Sequence, residues 1–229
     1  MSEDKNMSFK VKDCSLITRM AGIKEAMNLR ELEERLRVCP DECLFHHFCE
    51  TVIRPTFDDP DYPNDFALWA GSELRDKVLA ERLAILNPYK LKSISELRQH
   101  TLDIIEQRLS EIDYIPWALK GRAFLFMQAA TTVFDTGIVL EKPSDLYRQL
   151  PNISLGSIYY HFVEARRRTD NMVDDFTAWL LEFGDITRPL IKDLAEIDFY
   201  FLTLSELHKT LIGVTALYHE TFEDEKDLS

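Results

Sequence analysis

Hydrophobic residues recur with helical spacing through most of the chain. Leu44, Phe45, Phe48 and Val52 form one apolar arc on a helical wheel. Two stretches instead have strand character, "FKVKDCSLI" from Phe9 and "AFLFMQAATTVF" from Ala123, and Asp-Thr-Gly within "TVFDTGIVL" can supply a tight hairpin turn. The pattern predicts a mainly α fold, α+β with small β-hairpins.

The same landmarks occur twice in the same order. "NLREL" resembles "KPSDL", "NDFALWA" resembles "DDFTAWL", and "SISEL" resembles "TLSEL". The motif His-Phe-x-Glu-x-x-x-Arg also occurs twice, as His47, Phe48, Glu50, Arg54 and as His161, Phe162, Glu164, Arg168. We predict a tandem duplication of a hairpin-plus-helices unit with pseudo-twofold symmetry. Its units are residues 9–112 and 122–222, followed by a solvated acidic tail at 223–229.

Composition and charge limit the possible partners. The chain has 229 residues, 45% of them hydrophobic, and a net charge of -13. This charge argues against broad binding to nucleic acid or to anionic membranes. The first residues do not resemble a signal peptide, and the most apolar run is too short to cross a bilayer. We therefore expect a cytoplasmic protein.

Most of the shared polar residues are typical of helix caps. Ser93-x-x-Glu96 and Thr203-x-x-Glu206 fit capping boxes. Asn28, Asn64 and Asp174 each precede a predicted helix and can accept its first N–H groups. The aromatic residues near these caps are predicted to form the core: Phe48, Phe66, Trp69, Phe162, Phe176 and Trp179. Trp117 lies in the joining segment and is predicted to pack between the units.

The paired motif itself has a structural interpretation. Glutamate four residues before arginine is the favourable order on a helix, so Glu50–Arg54 and Glu164–Arg168 are predicted surface pairs. Arg166–Arg168 are predicted to form a solvated, paired face. His47 and His161 fall at the border of the apolar arcs, where an imidazole can donate to a nearby carboxylate. Asp65 and Asp175 are the candidate partners.

Cysteine spacing does not indicate a disulfide framework. The four cysteines, Cys14, Cys39, Cys43 and Cys49, contain no C-x-x-C pair. Cys39, Cys43 and His47 share one helical face, but the helical rise spreads them over about 12 Å, which is too far for one metal ion. Buried, reduced thiols are the better interpretation.

A metal site is the alternative interpretation of the histidines. His47 with Glu50 and His161 with Glu164 would supply two nitrogens and two carboxylates if the two motifs faced each other. Such a ligand set suits zinc, iron or manganese. Helical di-metal proteins use the reverse order, Glu-x-x-His, together with further glutamates. The glutamates available here are better explained as caps.

Several motifs together resemble a known family. Its members carry "F-x-V-x-D-C", "NLREL", a His-His-Phe helix, "NDFA-x-W" and "LAERL". This chain has "FKVKDC" from Phe9, "NLREL" from Asn28, "FHHF" from Phe45, "NDFALW" from Asn64 and "LAERL" from Leu79. It is similar to the uncharacterised prokaryotic family catalogued as domain of unknown function 5752. The resemblance implies a cytoplasmic prokaryotic protein and implies no activity or cofactor.

The sequence favours a non-enzymatic scaffold for protein interaction or regulation, with another protein as its partner. No phosphate loop, His-Glu-x-x-His motif or nucleophile elbow occurs in it. Two alternatives stay open: a metal-dependent enzyme or sensor built on the His-x-x-Glu motifs, and a small-molecule binder with a pocket where the two units meet. The oligomeric state is left open.

Overall fold

The computed structural model describes residues 8–53, 62–168 and 172–223. Most of these residues are helical, and two strands pair in one sheet. The predicted mainly α class with a small β component is therefore confirmed. Among the described residues, no helix is both long and apolar enough to cross a membrane.

The chain divides into two compact units. Residues 16–130 form one of them, here called the central unit. Residues 8–15 together with the described part of 131–223 form the other, here called the terminal unit. The division does not follow the predicted ranges 9–112 and 122–222, because each unit takes in a strand segment from the other half of the sequence. Duplication of those ranges stays a prediction.

The helices follow the predicted order. Those of the central unit are α1 Leu29–Leu36, α2 Asp41–Cys49, α3 Asp65–Ser72, α4 Lys77–Ala84 and α5 Ile94–Glu111. Those of the terminal unit are α6 Pro143–Gln149, α7 Leu155–Ile158, α8 Ala165–Arg168, α9 Asp175–Leu180, α10 Arg188–Ala195, α11 Leu204–Ala216 and α12 His219–Glu223. A π-helical turn, Tyr159–Glu164, joins α7 to α8. Short 3-10 turns span Thr51–Ile53, Pro88–Lys90, Leu150–Asn152, Leu181–Thr187 and Phe199–Phe201.

The strands are β1, Phe9–Met20, and β2, Met127–Leu140. Ala21 donates to the carbonyl of Phe126, and Thr136 donates to that of Val11, so the strands run in opposite directions. The sequence pattern predicted a hairpin turn at Asp135-Thr136-Gly137, but β2 continues through these residues. The Asp-Thr-Gly signal is local, whereas the partner strand comes from the other half of the chain.

Each compact unit combines helices of one half with a strand segment of the other. In the terminal unit, the Phe9 ring lies 5.4 Å from Phe176 and 5.6 Å from Trp179, between ring centres. In the central unit, the Phe124 ring stacks on Phe66 at 4.9 Å and lies 5.7 Å from Trp69. Apolar burial of this kind is the main stabilising contribution, so each unit depends on a distant segment of the chain.

The predicted caps and core are observed. Asn28, Asn64, Ser93, Asp174 and Thr203 each accept the N–H three residues ahead and so begin helices α1, α3, α5, α9 and α11. The six aromatic residues predicted as core are all buried. Local capping and apolar pattern therefore agree with the tertiary structure at these positions. The predicted tail, 223–229, lies beyond the described residues except for its first position.

Candidate functional site

His161 joins a strand to a helix in the terminal unit. Its Nε2 accepts the backbone N–H of Lys12 on β1 at 2.8 Å, so the ring proton is on Nδ1. Nδ1 donates to Asp175 Oδ2 at the start of α9, 2.7 Å away. The ring is buried and lies 4.8 Å from the Phe9 ring. Both nitrogens of a neutral imidazole are thus used to hold β1 against α9.

His47 has the same arrangement in the central unit. Its Nε2 accepts the backbone N–H of Met127 on β2 at 2.9 Å, and its Nδ1 donates to Asp65 Oδ2 at 2.7 Å. The predicted carboxylate partners of the two histidines, Asp65 and Asp175, are therefore confirmed. No local pattern predicted the second contact, because the strand N–H comes from the other half of the chain. We call each His–Asp pair with its strand N–H a clasp.

The helix that carries His161 has an unusual geometry. Tyr159–Glu164 form a π-helical turn, whereas His47 lies in the regular helix α2. A π turn adds one residue per turn, and such turns are frequent at functional sites. The Arg168 guanidinium donates to the carbonyl of Tyr160 at 3.0 Å and lies over the Tyr160 ring at 4.1 Å. These contacts stabilise the widened turn.

Arg168 is held by two carboxylates. It pairs with Glu164 and lies 2.9 Å from Asp175 Oδ2. Burial lowers the pKa of Arg168, but the hydrogen bonds that its guanidinium donates to Glu164 and Asp175 outweigh burial and raise the pKa overall. Glu164 is buried, so the prediction that this pair lies on the surface is wrong. A carboxylate can be buried here because two guanidinium groups, those of Arg167 and Arg168, compensate its charge.

The neighbouring Arg166 is also not on a solvated face. Its guanidinium lies 3.1 Å from Asp174 Oδ2 and 4.9 Å from the ring centres of Phe162 and Phe199. Such a group over aromatic faces gains from cation–π attraction. Arg166 thus links Asp174, the N-cap of α9, to the aromatic core. Its position among three consecutive arginines does not predict this role.

Glu50 also differs from the prediction of a surface pair. It is buried and its Oε2 lies 2.6 Å from Nδ1 of His46, one turn back on α2. Arg54, its predicted partner, lies outside the described residues. The centres of the His46 and His47 rings are 5.2 Å apart.

The four candidate metal ligands are divided between the compact units. His47 and Glu50 lie in the central unit, and His161 and Glu164 lie in the terminal unit. Each histidine uses both nitrogens in its clasp. Within residues 8–53, 62–168 and 172–223, no three His, Cys, Asp or Glu side chains are grouped as metal ligands would be. The metal site stays a hypothesis.

A groove lies beside the His161 clasp. It encloses about 400 Å³, and its lining consists of Ser8, Phe9, Lys10, Lys12, Tyr160, His161, Arg168 and Asp175. Residues 8–12 come from the first half of the sequence and residues 160–175 from the second. Lys10 and Lys12 are two apart on β1, so their side chains share one face of the strand.

The groove is basic. Three cationic side chains and one carboxylate line it. Burial would raise the pKa of Asp175, but its bonds with His161 and Arg168 lower it below the ordinary value. Burial also raises the pKa of the Tyr160 hydroxyl, which is therefore neutral and able to donate a hydrogen bond. This arrangement can accept an anionic group at Lys10 and Lys12.

A family model matches residues 6–216, and its description is a family of unknown function, DUF5752. The chain belongs to the DUF5752 family. The match confirms the resemblance drawn from "NLREL", "FHHF" and "NDFALW". A solved structure with a similar fold is OrfY from Thermoproteus tenax, with a TM-score of 0.78 and 27% identity. The similarity covers 92% of this DUF5752 chain and 94% of that chain. No curated protein matches the sequence.

Proposed function

We propose that this DUF5752 protein is a non-enzymatic regulatory scaffold that binds another protein. The two clasps are the main support. A catalytic histidine needs a nitrogen that can reach substrate, whereas His47 and His161 both bind a strand N–H and a carboxylate. The repeated histidines therefore have a structural explanation, because each one holds a strand against the start of a helix.

An exposed apolar segment of the central unit supports protein binding. Tyr114, Trp117, Leu119 and Leu125 are all exposed, Tyr114 by 75% and Trp117 by 58%. We call these four residues the connector surface. Trp117 was predicted to pack between the units, yet it is largely exposed, and its backbone forms a bridge with Asn28. Exposed tryptophan and tyrosine are typical anchors of protein interfaces.

The charge of the chain indicates the kind of partner. With a net charge of -13, the protein attracts proteins with a basic surface and repels acidic ones. We therefore propose a partner with an apolar pocket inside a basic rim. Its binding should weaken as salt is added, since screening reduces the long-range attraction.

The connector surface is tested by comparing two exposed substitutions. The protein, Trp117→Ala and Leu217→Ala are immobilised in parallel, and proteins from the source cells are captured and quantified. Leu217 is the control because it is also an exposed apolar residue but lies in the terminal unit. We expect a basic protein to be retained by the parent and by Leu217→Ala and lost with Trp117→Ala. Binding of that purified protein must then be reproduced by calorimetry at two salt concentrations. Retention that Trp117→Ala leaves unchanged contradicts the proposal.

The basic groove favours a second candidate, a binder of a small anionic molecule. Its lining comes from both halves of the sequence, and all of it lies in the terminal unit. The supporting observation is the pair Lys10 and Lys12 beside the neutral Tyr160 hydroxyl. Such a ligand would bind the folded state and raise its melting temperature.

Thermal unfolding with inorganic phosphate and with citrate tests the groove. We expect one of these anions to raise Tm in the parent protein and to have no effect on the double variant Lys10→Ala, Lys12→Ala. Lys120→Ala is the control, because this exposed lysine lies in the central unit. Equal anion responses in all three proteins would show that the groove is not the site.

A cytoplasmic location is part of the proposal. Cys39 and Cys43 are free thiols, and all four cysteines are buried. Free thiols are typical of reducing compartments, where disulfides seldom persist.

A further inference from the structure

Two thiols and a guanidinium meet in the central unit. Cys39 lies just before α2, and Cys43 lies within its first turns. Arg98 of α5 donates from Nη1 to Cys39 Sγ at 3.1 Å and from Nη2 to Asp41 Oδ1 at 2.6 Å. The same Nη1 also donates to the carbonyl of Leu36. A charged donor directed at a sulfur atom is the arrangement that stabilises a thiolate.

The second half of the sequence shows what Arg98 adds. There His208 occupies the position that matches Arg98, and its Nε2 lies 2.7 Å from the carbonyl of Leu150, the match of Leu36. The positions that match Cys39 and Cys43 hold Ile153 and Ser157. A histidine therefore suffices to contact this carbonyl. The half of the sequence that contains the thiol pair has an arginine at this position instead, and the arginine contacts a sulfur atom in addition to the carbonyl.

The two sulfur atoms differ in acidity. The hydrogen bond from Cys43 and the nearby Arg98 lower the pKa of Cys39 to about 7, although burial opposes them. The hydrogen bond with Cys39 and burial raise the pKa of Cys43. Cys39 is thus the more acidic of the two thiols, and it is the one that the Arg98 guanidinium contacts. A nucleophilic thiol beside a neutral one is the usual composition of a thiol pair that forms a disulfide.

We propose that Cys39 and Cys43 form a reversible oxidation site for a small hydroperoxide. The Cys39 thiolate attacks the terminal oxygen of the peroxide, the O–O bond breaks, and the leaving oxygen takes a proton from water. Cys39 is then a sulfenic acid. The Cys43 sulfur attacks the Cys39 sulfur, the S–O bond breaks, and the hydroxyl leaves as water with the Cys43 proton. Two thiols lose two electrons in total, and the hydroperoxide is reduced to an alcohol or to water.

The disulfide would change the packing of α2. Cys43 is fully buried, and Cys39 nearly so. Joining the two sulfur atoms removes the thiolate that Arg98 contacts and ties the residue before the helix to its first turns. Reduction by a small thiol restores both contacts. The site is independent of the proposed connector surface and of the groove.

Hydrogen peroxide titration at pH 7, read by mass spectrometry of the intact protein and of its peptides, tests the proposal. We expect the loss of two hydrogens, located in the peptide that contains Cys39 and Cys43 and reversed by dithiothreitol. In Cys43→Ser, the product should instead be a Cys39 sulfenic acid that dimedone captures. The thiols Cys14 and Cys49 are internal comparisons and should react more slowly.

Arg98→His is the matched variant, because histidine contacts the equivalent carbonyl in the other half of the sequence. Its Cys39 should react about tenfold more slowly at pH 7, as its pKa returns toward the ordinary thiol value. Circular dichroism first establishes that the variant is folded, and Cys43→Ser gives an independent result if it is not. Equal oxidation of all four thiols, or a folded Arg98→His that reacts at the parent rate, would overturn the proposal.

Discussion

At the scale of single residues, the clasps explain why histidine occurs at positions 47 and 161. Only a neutral imidazole can accept a strand N–H with one nitrogen and donate to a carboxylate with the other. The sequence predicted the partner that lies nearby, Asp175 for His161, because its position before a helix is visible in the pattern. It could not predict Lys12 as the other partner, since strand pairing between distant segments has no local signal.

Replacing His161 by glutamine should lower the free energy of unfolding by about 1–3 kcal/mol, the cost of leaving buried polar groups unsatisfied. Glutamine cannot reach the strand N–H and Asp175 together in the same geometry. Urea denaturation measures the change. His100→Gln is the control: its side chain is exposed, and the change should be within about 0.5 kcal/mol. An unchanged stability for His161→Gln would mean that the clasp contributes nothing.

The stability contribution of Asp175 should depend on pH. Its pKa is lowered in the folded protein because the bonds from His161 and Arg168 outweigh burial. A group with a lowered folded pKa stabilises the protein above its unfolded pKa, about 3.9, and loses this contribution as pH falls through the folded value. Asp175→Asn should therefore be much less stable than the parent at pH 7, and the difference should shrink toward pH 3. Asp185→Asn, on an exposed side chain, should show no such trend. A difference that grows toward acid pH would contradict the assignment.

At the scale of elements, local signals predicted the helices and the two strand regions, but not which segments the strands pair with. The caps of α1, α3 and α11 follow from side chains within three residues of the helix start. β2 continues through Asp135 and Gly137 because it pairs with β1. The pairing joins distant segments of the chain, so the residues near Asp135 do not predict it. The π turn at Tyr159–Glu164 was also missed, because the Arg168 contact with the Tyr160 carbonyl comes from outside the segment.

Gly156 allows β1 to approach α7. A Cβ at this position would lie 2.2 Å from Asp13 Oδ1 and 2.8 Å from the carbonyl oxygen of Cys14. Gly156→Ala should therefore destabilise the protein by about 1–3 kcal/mol, the usual cost of overpacking. Gly213→Ala is the control, since a Cβ there would meet no atom within 4 Å beyond its chain neighbours and its own helix backbone, and alanine is the better helix former by about 0.8–1.0 kcal/mol. Thermal unfolding should show opposite shifts for the two variants. A Gly156→Ala protein as stable as the parent would show that the contact with β1 is not close.

At the scale of the whole molecule, the interpretation depends on what the repeated motif is for. Scaffold residues have a reason to stay in both halves of a chain, since each half has helices to hold. Here each clasp is complete within one compact unit, and its carboxylate, imidazole and strand N–H satisfy one another. The sequence predicted a structural motif but assigned Glu50 and Glu164 to the surface, since burial of a carboxylate depends on cations placed by the tertiary structure.

The metal content of the protein purified without chelator is the most direct test of this account. If the clasps are structural, elemental analysis should find no stoichiometric zinc, iron or manganese, because no ring nitrogen of His47 or His161 is available to an ion. His47→Gln and His161→Gln should lose stability without any change in metal content. Stoichiometric metal in the parent protein that disappears in either variant would contradict the account and favour the metal site at His47, Glu50, His161 and Glu164.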